Sequence, residues 1–118
     1  MSTTDPAVKI KPLTPAIGAE IFDIDLSGEY DDAAFDAIMR AFIEHHVLVI
    51  RDQTLTPSDI VRFAKRFGAV GAYPFAKPIA NHPEVIAIIK EPDQTTVFGG
   101  IWHTDSAYLE SPSMASVL

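Results

Sequence analysis

A histidine and an aspartate stand two residues apart in the segment Phe98–Tyr108, FGGIWHTDSAY. In an extended backbone, residues i and i+2 project to the same side, so His103 and Asp105 would present an imidazole and a carboxylate to one point in space. These are two of the three donors of the facial triad that holds non-haem Fe(II) and leaves positions open for substrate and oxygen. The same spacing also fits a surface ion pair, because short motifs often match by chance. On spacing alone, both interpretations stay open.

The other histidines are less suited to complete such a site. His45 and His46 fall at the end of a predicted helix, next to an apolar run, where a solvated or capping pair is the simpler interpretation. His82, in the sequence ANHPE, has the surroundings of a turn residue. The residue types therefore supply two donors and leave the third unassigned.

Composition excludes several other kinds of chemistry. The 118 residues contain no cysteine, which excludes disulfide frameworks, thiolate zinc sites and cysteine nucleophiles. The formal net charge of -7 disfavours nucleic acid as a partner, and the basic cluster of Arg62, Lys65 and Arg66 is explained by a solvated helix face. No apolar run approaches the roughly 20 residues needed to cross a bilayer, and the start lacks a secretory signal pattern. We expect a soluble, cytoplasmic protein without a membrane partner.

The elements that would position these residues read as an α+β fold in one domain over residues 1–118, with residues 1–7 as a loose tail. VKIKPL and GAEIFDIDL read as strands, and Val47–Ile50 reads as a strand buried on both faces. Apolar residues recur at helical spacing between Asp31 and His46, which predicts an amphipathic helix with a buried stripe. The stripe consists of Phe35, Ile38, Met39, Phe42 and Ile43.

A second predicted helix has clear start and stop signals in the sequence. Thr56 is the predicted N-cap, Pro57 takes the first helical position, Asp59 completes a capping-box pattern, and Gly68 lies just beyond the end. Its predicted inward face is Ile60, Phe63, Ala64 and Phe67. The glycines, prolines and asparagine of GAVGAYPFAKPIANHPEV then predict a long irregular connection.

The last part of the chain is predicted to contain two apolar strands, Val85–Ile89 and one that begins at Ala115–Leu118. A terminal apolar strand would be an open sheet edge, which natural chains usually cover. The sequence therefore reads as the front portion of a larger fold. The alternative is that the terminal strand pairs inward and closes a compact α+β domain.

The segment WHTDSAYLESPS resembles the metal segment of the taurine dioxygenase family, the TauD/TfdA group of Fe(II)/2-oxoglutarate dioxygenases. Three upstream segments resemble the family's opening block in the same order: GAEI, VLVIRDQTLTP and the capped helix ending in RFG. The resemblance covers essentially the whole chain. It implies a double-stranded β-helix, a jelly roll with the metal at its mouth and the N-terminal helices packed outside, of which this chain would be the N-terminal portion.

The resemblance implies that His103 and Asp105 are the first two Fe(II) ligands, with 2-oxoglutarate as co-substrate, O2 as oxidant and hydroxylation of a substrate as the outcome. Metal affinity should then weaken in acid. The distal histidine and the arginine that binds 2-oxoglutarate lie beyond residue 118 in the family, so the cofactor-binding residues are expected there. Two ligands hold Fe(II) too loosely to control oxygen chemistry, and we predict that the 118-residue chain alone is inactive.

The resemblance leaves the substrate open. The taurine enzyme is expected to hold a histidine at the position of Tyr73, a tyrosine at Ala76 and an asparagine at Gly99, so a taurine-type sulfonate pocket does not follow. Tyr73, Phe75 and Tyr108 are predicted to line a more apolar pocket, which suits a sulfonate, an alkyl sulfate or an aryloxy acid. The alternative for Phe75 is a place in the core. A homo-oligomer is compatible with the sequence.

A function of a different class also stays open. The chain could act as a non-catalytic fragment or binding module, truncated or split, with an incomplete metal site. That hypothesis predicts no tight metal uptake.

Overall fold

A computed structural model describes residues 8–118. The predicted loose tail, residues 1–7, lies outside the described residues. The regular elements are, in chain order, β1 (Lys9–Pro12), β2 (Ala19–Phe22), α1 (Asp32–His45), β3 (Leu48–Val49) and α2 (Pro57–Lys65). The α+β character predicted from the sequence is present, and the regular elements within the described range all precede Arg66.

The three strands form one mixed sheet in the order β1-β2-β3. β1 and β2 are antiparallel, with Ile10 opposite Ile21, whereas β2 and β3 are parallel, with Ala19 opposite Leu48. Parallel neighbours need a crossover connection, and α1 provides it. The side chain of Gln53 extends this parallel pairing, since it bonds the backbone of Ile24 and Leu26 just beyond the end of β2.

Helix α1 begins and ends at groups that satisfy its free backbone atoms. The Ala34 N–H donates to the Asp31 carboxylate at 2.8 Å, and His46 closes the helix in the left-handed region with its N–H bonded to the Phe42 carbonyl. The predicted bounds and the capping interpretation of the histidine pair are confirmed. Of the predicted stripe, Phe35 and Ile38 are buried, but Ile43 is 67% exposed, so its assignment to the core was wrong.

Helix α2 is the element that the sequence predicted most completely. The Thr56 hydroxyl accepts the Asp59 N–H, the Asp59 carboxylate accepts the Thr56 N–H, and Pro57 is the first helical residue. Phe63 is buried, as predicted, and its ring meets those of Tyr30, Phe35 and Phe67 edge-on. Two adjustments apply to the predicted inward face: Val61 is buried as well, and Ile60, Ala64 and Phe67 are only half-buried.

The basic residues of α2 do more than form a solvated face. The Arg62 guanidinium donates to the carbonyl oxygens of Leu26 and Gly28, at 2.7 and 3.1 Å. Arg66 donates to Asp32 at 2.8 Å, and its guanidinium carbon lies 4.5 Å from the centre of the Phe35 ring. The cluster therefore ties α2 to the loop after β2 and to α1, a role that helical spacing alone does not reveal.

The hydrophobic core lies entirely in the first part of the chain. It joins Val8 and Ile21 of the sheet side to α1 and α2; its buried members are Val8, Ile21, Leu26, Ala34, Phe35, Ala37, Ile38, Ala41 and Phe63. Among the described residues, none after Phe63 is buried. The segments expected to carry the chemistry thus lie outside the packed core.

Three predicted strands differ from the structure. Val47–Ile50 contains only the two-residue edge strand β3, half-buried rather than buried on both faces. Val85–Ile89 and Ala115–Leu118 form no strand, because the described residues place no neighbouring strand beside them to share backbone hydrogen bonds. Ser116, Val117 and Leu118 instead line a groove with residues of α1, β3 and α2.

Within residues 8–118, no helix is long and apolar enough to span a membrane.

Candidate functional site

The segment Val97–Leu109 is held by a succession of turns, without helix or strand. The Gly100 N–H donates to the Val97 carbonyl at 3.1 Å, and the Leu109 N–H donates to the Ser106 carbonyl at 3.1 Å. Gly99 and Ser106 both have positive φ, at 69° and 57°. Backbone turns, rather than packed side chains, therefore set the direction of the residues between them.

His103 and Asp105 face one another across Thr104. The His103 Nε2 atom lies 3.3 Å from the Asp105 Oδ1 atom, and the two side chains are 50% and 70% exposed. The juxtaposition expected from their spacing is thus present, on an open surface. Their role as metal ligands is not tested by this geometry and stays a prediction.

The donor set fits a shared cation. The Nδ1–H of His103 donates to the Ile101 carbonyl oxygen, 2.6 Å away, because that oxygen can only accept. In the neutral ring, Nε2 then carries a lone pair and faces the Asp105 carboxylate oxygen, so these two electron-rich atoms need either a proton, as in an ion pair, or a metal cation between them. Two donor atoms that bind one first-row metal ion at about 2.1 Å, with a right angle between the two bonds, lie about 3 Å from each other. The observed separation suits that arrangement.

A third donor does not join this pair within residues 8–118, where no group of three histidine, cysteine, aspartate or glutamate side chains is arranged to hold an ion. His45 and His46 end α1, as described above. His82 lies in a turn, with its N–H directed at the Ile79 carbonyl at 3.4 Å. The turn assignment made from the sequence is confirmed.

The three aromatic residues predicted to contact substrate lie together. The Tyr73 and Phe75 ring centres are 5.4 Å apart, and those of Phe75 and Tyr108 are 6.5 Å apart. All three side chains are exposed, at 37%, 57% and 70%, so the alternative placement of Phe75 in the core is wrong. The loop after α2 and the segment that carries His103 therefore meet through one aromatic cluster.

The family described as "Taurine catabolism dioxygenase TauD, TfdA family" matches residues 9–118, nearly the whole chain. The chain belongs to the TauD/TfdA family.

Individual TauD/TfdA relatives agree with this assignment. The chain is 30% identical to the α-ketoglutarate-dependent sulfonate dioxygenase of Saccharomyces cerevisiae, over 90% of this chain and 28% of that protein. It is 31% identical to the α-ketoglutarate-dependent sulfate ester dioxygenase of Pseudomonas putida, over 92% of this chain and 36% of that protein. The chain thus spans about a third of the length of the curated relatives that it matches.

Part of a solved TauD/TfdA structure resembles this chain. The crystal structure of a taurine dioxygenase from Burkholderia xenovorans superposes with a TM-score of 0.61 at 32% identity, over 66% of this chain and 28% of that chain. The resemblance to the TauD/TfdA family found in the sequence is confirmed by both kinds of comparison.

Sequence reasoning missed two features of this TauD/TfdA segment. The Ile101 carbonyl orients the His103 ring, and Gly99 lies against that ring, so that a Cβ added there would be 3.3 Å from His103 Cε1. The available signal was the Gly99-Gly100 pair just before the His-x-Asp motif, since paired glycines mark a tight turn or a close approach of the backbone.

Proposed function

We propose that this chain supplies the first two iron ligands, His103 and Asp105, of an Fe(II)/2-oxoglutarate-dependent dioxygenase that hydroxylates a small organic acid. The observation that carries the proposal is the 3.3 Å separation of Nε2 and Oδ1 inside a chain that belongs to the TauD/TfdA family. The names of the relatives support the reaction class, since both are α-ketoglutarate-dependent dioxygenases. The proposal includes the jelly-roll fold implied by the family for the complete domain.

The chain's own groups have defined parts in this proposal. The Ile101 carbonyl fixes the proton of His103 on Nδ1, which leaves the Nε2 lone pair directed at the ion. The Asp105 carboxylate contributes a negative charge that offsets part of the charge of a divalent cation. When bound, ferrous iron would supply the site at which 2-oxoglutarate and O2 are converted to succinate and CO2, with one oxygen atom inserted into a substrate C–H bond. The third ligand and the 2-oxoglutarate arginine are not assigned to residues 8–118.

The aromatic cluster of Tyr73, Phe75 and Tyr108 supports an acid with an apolar organic part. Edge-on rings at 5.4 Å present a continuous apolar wall, while the two tyrosine hydroxyls offer hydrogen bonds to polar substrate atoms. Sulfonates, alkyl sulfates and aryloxy acids share this combination of an anionic head and an apolar body. We assign the cluster to the substrate's organic part.

The metal assignment is tested with Mn(II), a redox-inert probe that broadens the NMR signals of nearby nuclei even when it binds weakly. We expect selective broadening at residues 103–105 on titration, abolished by His103→Ala and by Asp105→Ala. His82→Ala, in a turn, and Asp93→Ala, at an exposed loop position, serve as matched controls, and they should leave the broadening unchanged. Broadening that persists in both ligand variants would overturn the assignment.

The activity of the 118-residue chain is measured separately as O2-dependent succinate formation from 2-oxoglutarate with added Fe(II). Because two protein donors leave the ion loosely held, we expect no succinate above the metal-only background. Turnover that is lost in His103→Ala would contradict that expectation.

The second candidate function is a non-catalytic fragment or binding module. The observation that favours it is the absence of a third donor near the pair within residues 8–118. It predicts that Mn(II) leaves the signals of residues 103–105 unaffected, with or without 2-oxoglutarate, so the titration above separates the two candidates.

A further inference from the structure

The apolar run in residues 84–90, EVIAIIK, lies beside no strand within residues 8–118. Ile88 and Ile89 are 52% and 73% exposed, and the run lies outside the packed core. In the same described part of the chain, residues 86–89 make no hydrogen bond between backbone groups. β-branched side chains favour an extended backbone, and an extended segment with unpaired N–H and C=O groups is a template for another strand.

One edge of this segment is available for pairing. In an extended strand, the N–H and C=O groups of one residue point to the same edge, and consecutive residues alternate between the two edges. The Val85 carbonyl already accepts the Ile79 N–H at 2.9 Å, which occupies the start of the edge formed by the odd-numbered residues. The other edge, with the backbone groups of Ile86 and Ile88, is the one left open to a second strand.

The charges at the two ends of the segment are complementary to those of a second copy. Glu84 and Lys90 lie three residues to either side of Ala87, so antiparallel pairing about Ala87 puts each Glu84 opposite the Lys90 of the other copy. Opposite residues of such a pair have Cβ atoms about 4.5–5.5 Å apart, within reach of an ion pair. Neither side chain has an ion-pair partner among the described residues.

Other pairings of the same segment are less favourable. A parallel pair in the same register would put Glu84 beside Glu84 and Lys90 beside Lys90, and adjacent like charges destabilise a sheet. A shift by two residues would put Glu84 opposite Ile88 and lose both ion pairs. Pro83 and Pro92 flank the segment, and because proline has no N–H to donate, they limit the pairing to the residues between them.

We propose that residues 84–90 of two copies of this chain pair as antiparallel strands centred on Ala87, with each Glu84 opposite the Lys90 of the other copy. The strands are joined through the backbone groups of Ile86 and Ile88. On one face of the pair, the isoleucine side chains at these two positions lie between the two ion pairs. The interaction does not involve the proposed metal ligands, so it is independent of the proposed function.

The association is measured by sedimentation equilibrium of the 118-residue chain over a range of concentrations. A two-stranded sheet is marginal in water, so we expect a weak, reversible dimer that dissociates on dilution. Glu84→Lys and Lys90→Glu each replace both ion pairs by like charges, and each should weaken the dimer about tenfold. Asp93→Lys and Lys77→Glu, at exposed positions outside the segment, make the same changes in net charge and should leave the dimer unchanged.

Mixing the two charge-reversal variants tests the pairing directly. In a mixed dimer of Glu84→Lys with Lys90→Glu, opposite charges face each other again at both ends of the segment. We expect the mixture to associate as tightly as the parent chain, while each variant alone stays largely monomeric. Each reversal changes the formal net charge of -7 by two units, so both variants remain negative and general attraction between them does not explain such a result.

A disulfide can report the central pair, because the chain has no cysteine of its own. Ala87 lies opposite the same residue of the other copy, with Cα atoms about 4.5 Å apart, which suits a disulfide. Ala87→Cys should therefore cross-link under mild oxidation at least about tenfold faster than Ala80→Cys, since only the first holds two thiols at a high effective concentration. Ala80 is also exposed but lies outside the segment, and non-reducing electrophoresis gives both rates.

The outcomes decide the proposal in either direction. A parent chain that stays monomeric at all concentrations would overturn it. Association that survives both charge reversals, or equal cross-linking of the two cysteine variants, would assign the contact to another surface and would also overturn it. Because residues 84–90 lie outside the core, every variant should keep the circular dichroism spectrum of the parent, so a lost dimer can be told from a lost fold.

Discussion

The side-chain oxygen of Gln53 accepts the backbone N–H of Leu26 at 2.8 Å, across 27 residues of sequence. The amide nitrogen of the same side chain donates to the Ile24 and Arg51 carbonyls, at 2.9 and 3.1 Å. One glutamine therefore satisfies three backbone groups at the point where the β2–β3 pairing ends. The bonds to Leu26 and Ile24 are partly buried, so leaving those two groups without partners is costly, whereas the Arg51 carbonyl is exposed.

Replacing Gln53 by glutamate should destabilise the fold. A carboxylate can accept the Leu26 N–H, but it cannot donate to the two carbonyls and would place a negative charge against them. We expect a loss of about 1–3 kcal/mol in the free energy of unfolding, measured by urea denaturation followed by circular dichroism. Gln94→Glu is the matched control, because the exposed Gln94 side chain only accepts the Glu91 N–H, which a carboxylate also does. Equal losses in the two variants would contradict the role assigned to Gln53.

Removing the Thr56 hydroxyl should weaken α2. Thr56→Ala leaves the Asp59 N–H without its capping partner, and N-cap threonines contribute about 1 kcal/mol. The midpoint of thermal unfolding should fall accordingly, whereas Thr54→Ala, two residues earlier at an exposed position, should leave it unchanged. A fall of the same size in both variants would argue against a specific capping effect.

Two aspartates should make stability depend on pH in acid. Hydrogen bonds from the Thr56 backbone N–H and hydroxyl lower the pKa of Asp59, and those from the Ser27 hydroxyl and N–H lower the pKa of Asp25. A pKa that is lower in the folded than in the unfolded chain adds stability that is present above the unfolded value, about 3.9, and is lost as the pH falls through the folded value.

The urea midpoint should therefore drop as the pH is lowered below about 4, and the drop should be smaller in the double variant Asp25→Asn, Asp59→Asn. Asp93→Asn, in an exposed loop, is the control and should keep the full drop. If the double variant behaves like Asp93→Asn, these two carboxyls do not account for the acid sensitivity.

Replacing Arg66 by lysine should destabilise the fold. Its guanidinium lies over the Phe35 ring and reaches Asp32, and an ammonium group cannot make both contacts with the same planar geometry. We expect Arg66→Lys to lower the free energy of unfolding by about 0.5–1 kcal/mol. Arg40→Lys, at an exposed position on α1, should have no measurable effect, and a similar loss there would point to a general helix-propensity effect.

The parts of the fold that the sequence predicted correctly depend on chemistry within a few residues. Thr56, Pro57 and Asp59 define the start of α2 because the capping bonds form within one turn. His103 and Asp105 meet because only Thr104 separates them. In both cases, the interacting groups are neighbours in the chain, so their spacing was sufficient.

The strand and core predictions that failed depend on partners distant in sequence. The apolar run Val85–Ile89 has strand composition, but a strand needs a neighbour to bond, and composition does not state whether one is present. Ile43 fits the periodicity of α1, yet nothing packs over that part of the helix in the described residues. The bond between Gln53 and Leu26 likewise joins positions whose proximity follows only from the parallel arrangement of β2 and β3.

Because the core is confined to residues up to Phe63, the part of the chain after the core should unfold locally more readily than the part that contains it. Backbone amides of α1 should exchange with deuterium only slowly, since their release requires the whole packed unit to come apart. Amides between Gly68 and Leu118 need only a turn to open, so they should exchange within the dead time of a manual experiment. A trace of protease should cleave this second part first and leave a shorter product that still contains both helices.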